Sequence, residues 1–74
     1  MTKLDNDVLM RMQEEYKTLA DRIDKIEAMI KSFRAGENPF TDLSEIHLIE
    51  EQLHYMRGYR KILKIRLHQQ NILV

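Results

Sequence analysis

Seventy-four residues without cysteine or tryptophan allow one small domain and exclude a disulfide framework. A chain this short buries only about 60% of its unfolded surface, so association with further copies is the remaining route to stability. Net charge is zero, from 12 Lys/Arg against 12 Asp/Glu, but the charges are segregated: residues 1–51 hold all 12 acids and seven bases, while residues 52–74 hold five bases and no acid.

Met1 to Asn6 reads as a lead-in, with Asp5 or Asn6 as the cap of a helix over residues 7–34. Leu9, Met12, Tyr16, Leu19, Ile23, Ile26, Ile30 and Phe33 follow one another at spacings of 3 and 4. This is a four-heptad a/d seam, and neither Gly nor Pro interrupts it. Tyr16 stands out because a buried phenol needs a hydrogen-bond partner or an open edge. Lys31 and Arg34 complement the negative end of the helix dipole, and Gly36 supplies a left-handed terminator. The turn spans 35–42, where Pro39 keeps Asn38 out of helical geometry and Phe40 is expected to fold back onto the hairpin.

Asp42 with Glu45 three residues later forms a capping-box signal, and Ser44 competes with Asp42 as cap. The second helix is expected over 43–69. Its seam runs Ile46, Ile49, Leu53, Met56, Tyr59 or Arg60, Leu63 and Leu67. A second stripe, Leu48, Tyr55 and Ile62 with Ile65 beside it, predicts that this helix also meets another chain. Gly58, costing about 1 kcal/mol in a helix relative to Ala, suggests close approach of another backbone or a ligand there. The apolar tail Asn71-Ile72-Leu73-Val74 is expected to dock on a partner subunit or to fray. The fold class is therefore all-α: an antiparallel two-helix hairpin, one domain over 1–74, assembling into a helical homo-oligomer.

Few arrangements in the chain suggest chemistry. Glu51-x-x-His54 has the spacing of a bundle metal site, but the glutamates of the first helix lie off its seam, so a solvated i, i+3 pair is the better reading and no metal is expected. His47, His54 and His68 are too far apart along one helix to hold one ion. Ser44 reads as a cap, no nucleophile–base pair is recognisable, and there is no glycine-rich phosphate loop, so neither an enzyme nor a cofactor is expected. Arg57, Arg60, Lys61, Lys64 and Arg66, interleaved with Tyr55 and Tyr59, are the basic patch a nucleic-acid binder would use. The acidic first helix opposes a duplex. No apolar run reaches membrane-spanning length, and MTKLDNDV lacks a signal-peptide core, which points to the cytoplasm and to no membrane partner.

Taken together, RMQEEYKTLADRIDKIEAMI, a short loop and LSEIHLIEEQLHYMRGYRKILKIRL resemble the hairpin domain of phage anti-CBASS and anti-Thoeris sponges. The anti-CBASS branch is the more similar, since no further domain accompanies the hairpin. The resemblance implies a homo-oligomer, a hexamer, in the bacterial host cytoplasm. It implies sequestration of cyclic dinucleotide immune signals without cleavage, a form of immune evasion. By the same resemblance Tyr16 stacks on the bases and Lys31 meets the phosphates. A separate cyclic trinucleotide site would use an arginine of the second helix, with Arg57, Arg60 and Arg66 as candidates. Read without it, Tyr16 is a seam residue and Lys31 a surface lysine that complements the dipole. The two lie about 22 Å apart along one helix and about 60° apart around it, so a shared site needs two antiparallel copies. Two readings of other classes remain: a helical assembly or adaptor protein without a small ligand, and a small nucleic-acid-binding regulator.

Overall fold

A computed structural model describes residues 4–37 and 42–74. They form two helices, α1 (Asn6–Arg34) and α2 (Leu43–Gln69), packed as a rod of 49 × 16 × 16 Å. The described residues contain no strand. Phe40 and Pro39 lie outside the described residues.

Each helix end is closed by the chemistry its sequence offers. Asp5 caps α1, accepting from the Val8 amide at 3.0 Å. Asp42 caps α2, accepting from the Glu45 amide at 2.8 Å. Ser44 does not compete for that role: its hydroxyl donates to Asp42 at 2.8 Å and steadies the cap. These two donors, led by the Glu45 amide, hold the Asp42 carboxyl below its ordinary value. At the other ends the chain makes the same motif twice. Gly36 is left-handed at φ 77°, its amide donates to Phe33, and the Glu37 amide donates to Ser32. Asn71 is left-handed at φ 64°, its amide donates to His68, and the Ile72 amide donates to Leu67. Both are Schellman closures, which satisfy carbonyls the helix leaves open. The second also decides the tail. Ile72 packs against the chain's own core, as the residue after a Schellman turn commonly does, while Leu73 stays 86% exposed.

The core is the meeting of the two seams. Met12, Leu19, Ile23 and Ile30 of α1 and Ile46, Leu53, Leu63 and Leu67 of α2 are buried. Leu9, Tyr16, Ile26 and Phe33 are half-buried, so every member of the α1 seam faces inward. The choice between Tyr59 and Arg60 is settled for Arg60, which is half-buried between Met56 and Leu63 while Tyr59 remains exposed. With Arg60 in the seam, Leu48, Tyr55 and Ile62 fall on the opposite side of α2, beside Gly58 and Ile65. All four apolar side chains of this outer stripe are exposed. Within the hairpin nothing lies within 4 Å of a β-carbon placed on Gly58.

Candidate functional site

Heptad register builds the site. On α1, Glu27 and Arg34 are seven residues apart and flank the seam on one side. On α2, Glu50 and Arg57 are seven apart and flank it on the facing side. Because the helices are antiparallel, the signs cross-match. Arg57 donates to Glu27 at 3.0 Å and Arg34 donates to Glu50 at 2.7 Å. Both pairs are solvent-accessible, so each is worth at most about 1 kcal/mol to the fold. Their effect is to order charge along a groove.

That groove, of about 460 Å³, lies between the helices near the turn. Ile30 and Leu53, both buried, form its apolar floor. Lys31, Arg34 and Arg57 supply three cations to its wall, Glu27 and Glu50 two carboxylates. Among the described residues Lys31 has no carboxylate within ion-pair distance. The groove thus carries a formal charge of +1, with its one uncommitted cation at Lys31. An apolar floor under a cationic rim suits a ligand with flat apolar rings and phosphate oxygens.

The other expected residues lie elsewhere. Tyr16 is half-buried in the seam and packs against the core, toward the far end of the rod. The structure therefore brings Lys31 together with Arg57 and leaves Tyr16 apart from both. Arg60 occupies a seam position, and Arg66 is exposed in the last turn of α2. The basic patch is correspondingly divided, with Arg57 tied to Glu27 and Arg60 half-buried. On the other side of the seam, Tyr59 donates its hydroxyl to Glu15. That bond, with desolvation behind it, raises the Tyr59 phenol above its ordinary value. His47, His54 and His68 are exposed, and the His54 ring meets Tyr55 edge-on at 5.5 Å between centroids. Among the described residues no group of three or more His, Asp or Glu side chains is arranged to hold a metal.

Glu27 and Glu50 are groove residues with no site role expected from the sequence, and Arg34 was read there only as complementing the helix dipole. The signal was present as two Glu-to-Arg pairs at heptad spacing in the same chain order, which become complementary once an antiparallel register is assumed.

A protein-family model described as Sequestin matches residues 6–69, both helices and the turn between them. The chain belongs to the Sequestin family. Sequestins are phage anti-CBASS and anti-Thoeris sponges for cyclic nucleotides, binding proteins rather than enzymes. Neither the curated proteins nor the solved structures contain a match to this chain. The matched segment contains the whole groove, Tyr16 and the outer stripe of α2. No helix among the described residues is long and apolar enough to cross a membrane.

Proposed function

We propose that this protein is an oligomeric sponge of the bacterial host cytoplasm that holds cyclic dinucleotides and leaves them intact. The observation that carries the reading is the groove: a cationic rim with Lys31 uncommitted, over an apolar floor, inside the segment that defines the family. Lys31 meets a phosphate. Tyr16, about 22 Å away along α1, serves the same ligand only from a neighbouring copy. The α1 seam is already filled by α2 of the same chain, so the neighbour approaches the open side of the groove. Tyr16 stacks on a base through the part of its ring the seam leaves accessible.

The outer stripe of α2 supplies the reason for assembly. Leu48, Tyr55, Ile62 and Ile65 are 49–70% exposed in one row, which a stable single chain rarely tolerates. A second copy packed there gives the unpartnered side of the Gly58 helix its neighbour.

Isothermal titration with cyclic di-AMP, cyclic di-GMP and cyclic GMP–AMP tests the reading. Lys31→Ala removes a charge-assisted phosphate contact worth about 1.5–3 kcal/mol, so affinity falls roughly ten- to a hundred-fold. Tyr16→Leu keeps the seam apolar and removes stacking worth about 1–3 kcal/mol per base. The bound nucleotide, released by heat, should return intact on chromatography. Failure of all three probes to bind, or a linear product, overturns the proposal. Loss at Lys31 alone keeps the phosphate contact and removes Tyr16 from the site.

A further inference from the structure

Lys31 is not the only cation in the groove, and the other two are occupied in a particular way. Arg34 and Arg57 reach across the helix–helix junction to Glu50 and Glu27. On α1 the order Glu27, Ile30, Lys31, Arg34 places two cations and one carboxylate on one face. On α2 the order Glu50, Leu53, Arg57 places a carboxylate and a cation on the facing one. All four paired side chains remain open to solvent, between 38% and 63% exposed. A guanidinium can therefore leave its carboxylate for a phosphate without opening the core.

We propose that Arg34 and Arg57 are further anion-binding residues of this groove, and that Glu27 and Glu50 are displaceable latches that the ligand phosphates replace. The inference rests on the proposed ligand class but adds residues and a competition that the Lys31 contact does not require. In the latched state the groove offers +1. A cyclic dinucleotide carries two phosphodiester charges, and a single lysine per groove matches only one of them. Swinging Arg34 from Glu50 and Arg57 from Glu27 keeps each guanidinium paired throughout and sends the two carboxylates to water, where their charge is cheaply solvated. The forked guanidinium then meets phosphate oxygens two at a time, a geometry the lysine lacks. The latch also has a selective effect. Inorganic phosphate reaches one cation and cannot displace both carboxylates together.

The sign of the effect separates this from a structural role for the pairs. Neutralising a latch removes the competitor, so binding should tighten. Glu50→Gln and Glu27→Gln should each raise affinity for the cyclic dinucleotide bound best by the parent protein, by about two- to five-fold, the scale of an exposed ion pair. The double variant should raise it further than either single one. Arg34→Ala should weaken binding by about five- to thirty-fold, a charged contact offset by the latch it no longer has to break. In the Arg34→Ala background, Glu50→Gln should lose most of its benefit. The double latch variant should also bind inorganic phosphate more tightly, read by competition. In parallel, the Arg34 and Arg57 Nε–Hε cross-peaks in 15N spectra of the parent protein should shift on titration. Circular dichroism checks that each variant keeps the parent's helicity. Latch variants that bind no more tightly than the parent, or unmoved Arg34 and Arg57 cross-peaks in a protein that binds, overturn the latch. In that case continued sensitivity to Lys31→Ala leaves the proposed function standing. A parent protein that binds none of the cyclic dinucleotides overturns both.

Discussion

Replacing Ile62 by glutamate should break the assembly and leave the hairpin folded. Ile62 sits on the outer stripe of α2, 56% exposed in the single chain, and lies outside the core cluster that joins α2 to α1. Burying a whole isoleucine side chain is worth about 1.5–3 kcal/mol, so burying the exposed half is worth about 1–1.5 kcal/mol. A two-fold interface uses the residue twice, which makes roughly 2–3 kcal/mol per pair of chains. Truncation by Ile62→Ala should therefore lower the association constant by about 30- to 150-fold. Glutamate adds the cost of setting a carboxylate against an apolar surface and should exceed that range. Sedimentation equilibrium over a micromolar concentration series reads the constant directly, and far-ultraviolet circular dichroism reports whether the helices persist. If Ile62→Glu sediments like the parent oligomer, the outer stripe is not the interface. If the parent is a stable monomer, the case for assembly falls with it.

Ile23 is fully buried in the seam, so Ile23→Ala should cost about 2–5 kcal/mol in denaturant melts, enough to unfold a domain of this size at moderate temperature. Asn71 closes α2 at φ 64°, and Asn71→Val should lower stability by about 1–2 kcal/mol while Asn71→Gly preserves it. The Asp42 carboxyl is depressed below 3.8 by the cap it makes. Its contribution is accordingly complete above that pH and lost as pH falls through the depressed value, so an acid melt should show a stability loss that Asp42→Asn flattens. Tyr59 has the opposite sign. Its phenol is raised above 10.0 by its bond to Glu15, so its contribution is complete below that pH and disappears as pH rises through the raised value. Tyr59→Phe should remove that alkaline dependence.

Much of the hairpin was readable from the sequence because its signals are local and periodic. The 3-and-4 spacing from Leu9 to Phe33 fixes the inner face of α1, and all eight residues turn inward. Asp42 ahead of Glu45 marks the start of α2, and Gly36 marks the close of α1. The end of α2 carried a weaker signal, since Asn71 adopts the left-handed turn less obligatorily than glycine, and the Ile72 contact it creates was not anticipated. The candidate site was only partly legible. Lys31 was singled out by family resemblance, but nothing local says that Arg57, 26 positions later, shares its groove.

Sequence by itself determined which residues are helical, where α2 starts and α1 ends, and which stripe of each is apolar, since these follow from backbone hydrogen bonding and a 3.6-residue repeat within one segment. Tertiary structure decided how the two segments register against each other. That register chose Arg60 over Tyr59 for the seam, crossed Glu27 with Arg57 and Arg34 with Glu50, and set all four around Lys31. The physical reason is that a heptad pattern states which face is buried and leaves open which turn of the partner it meets. Closing the turn and interlocking the two seams selects one of several translations, and every contact between distant charges follows from that selection.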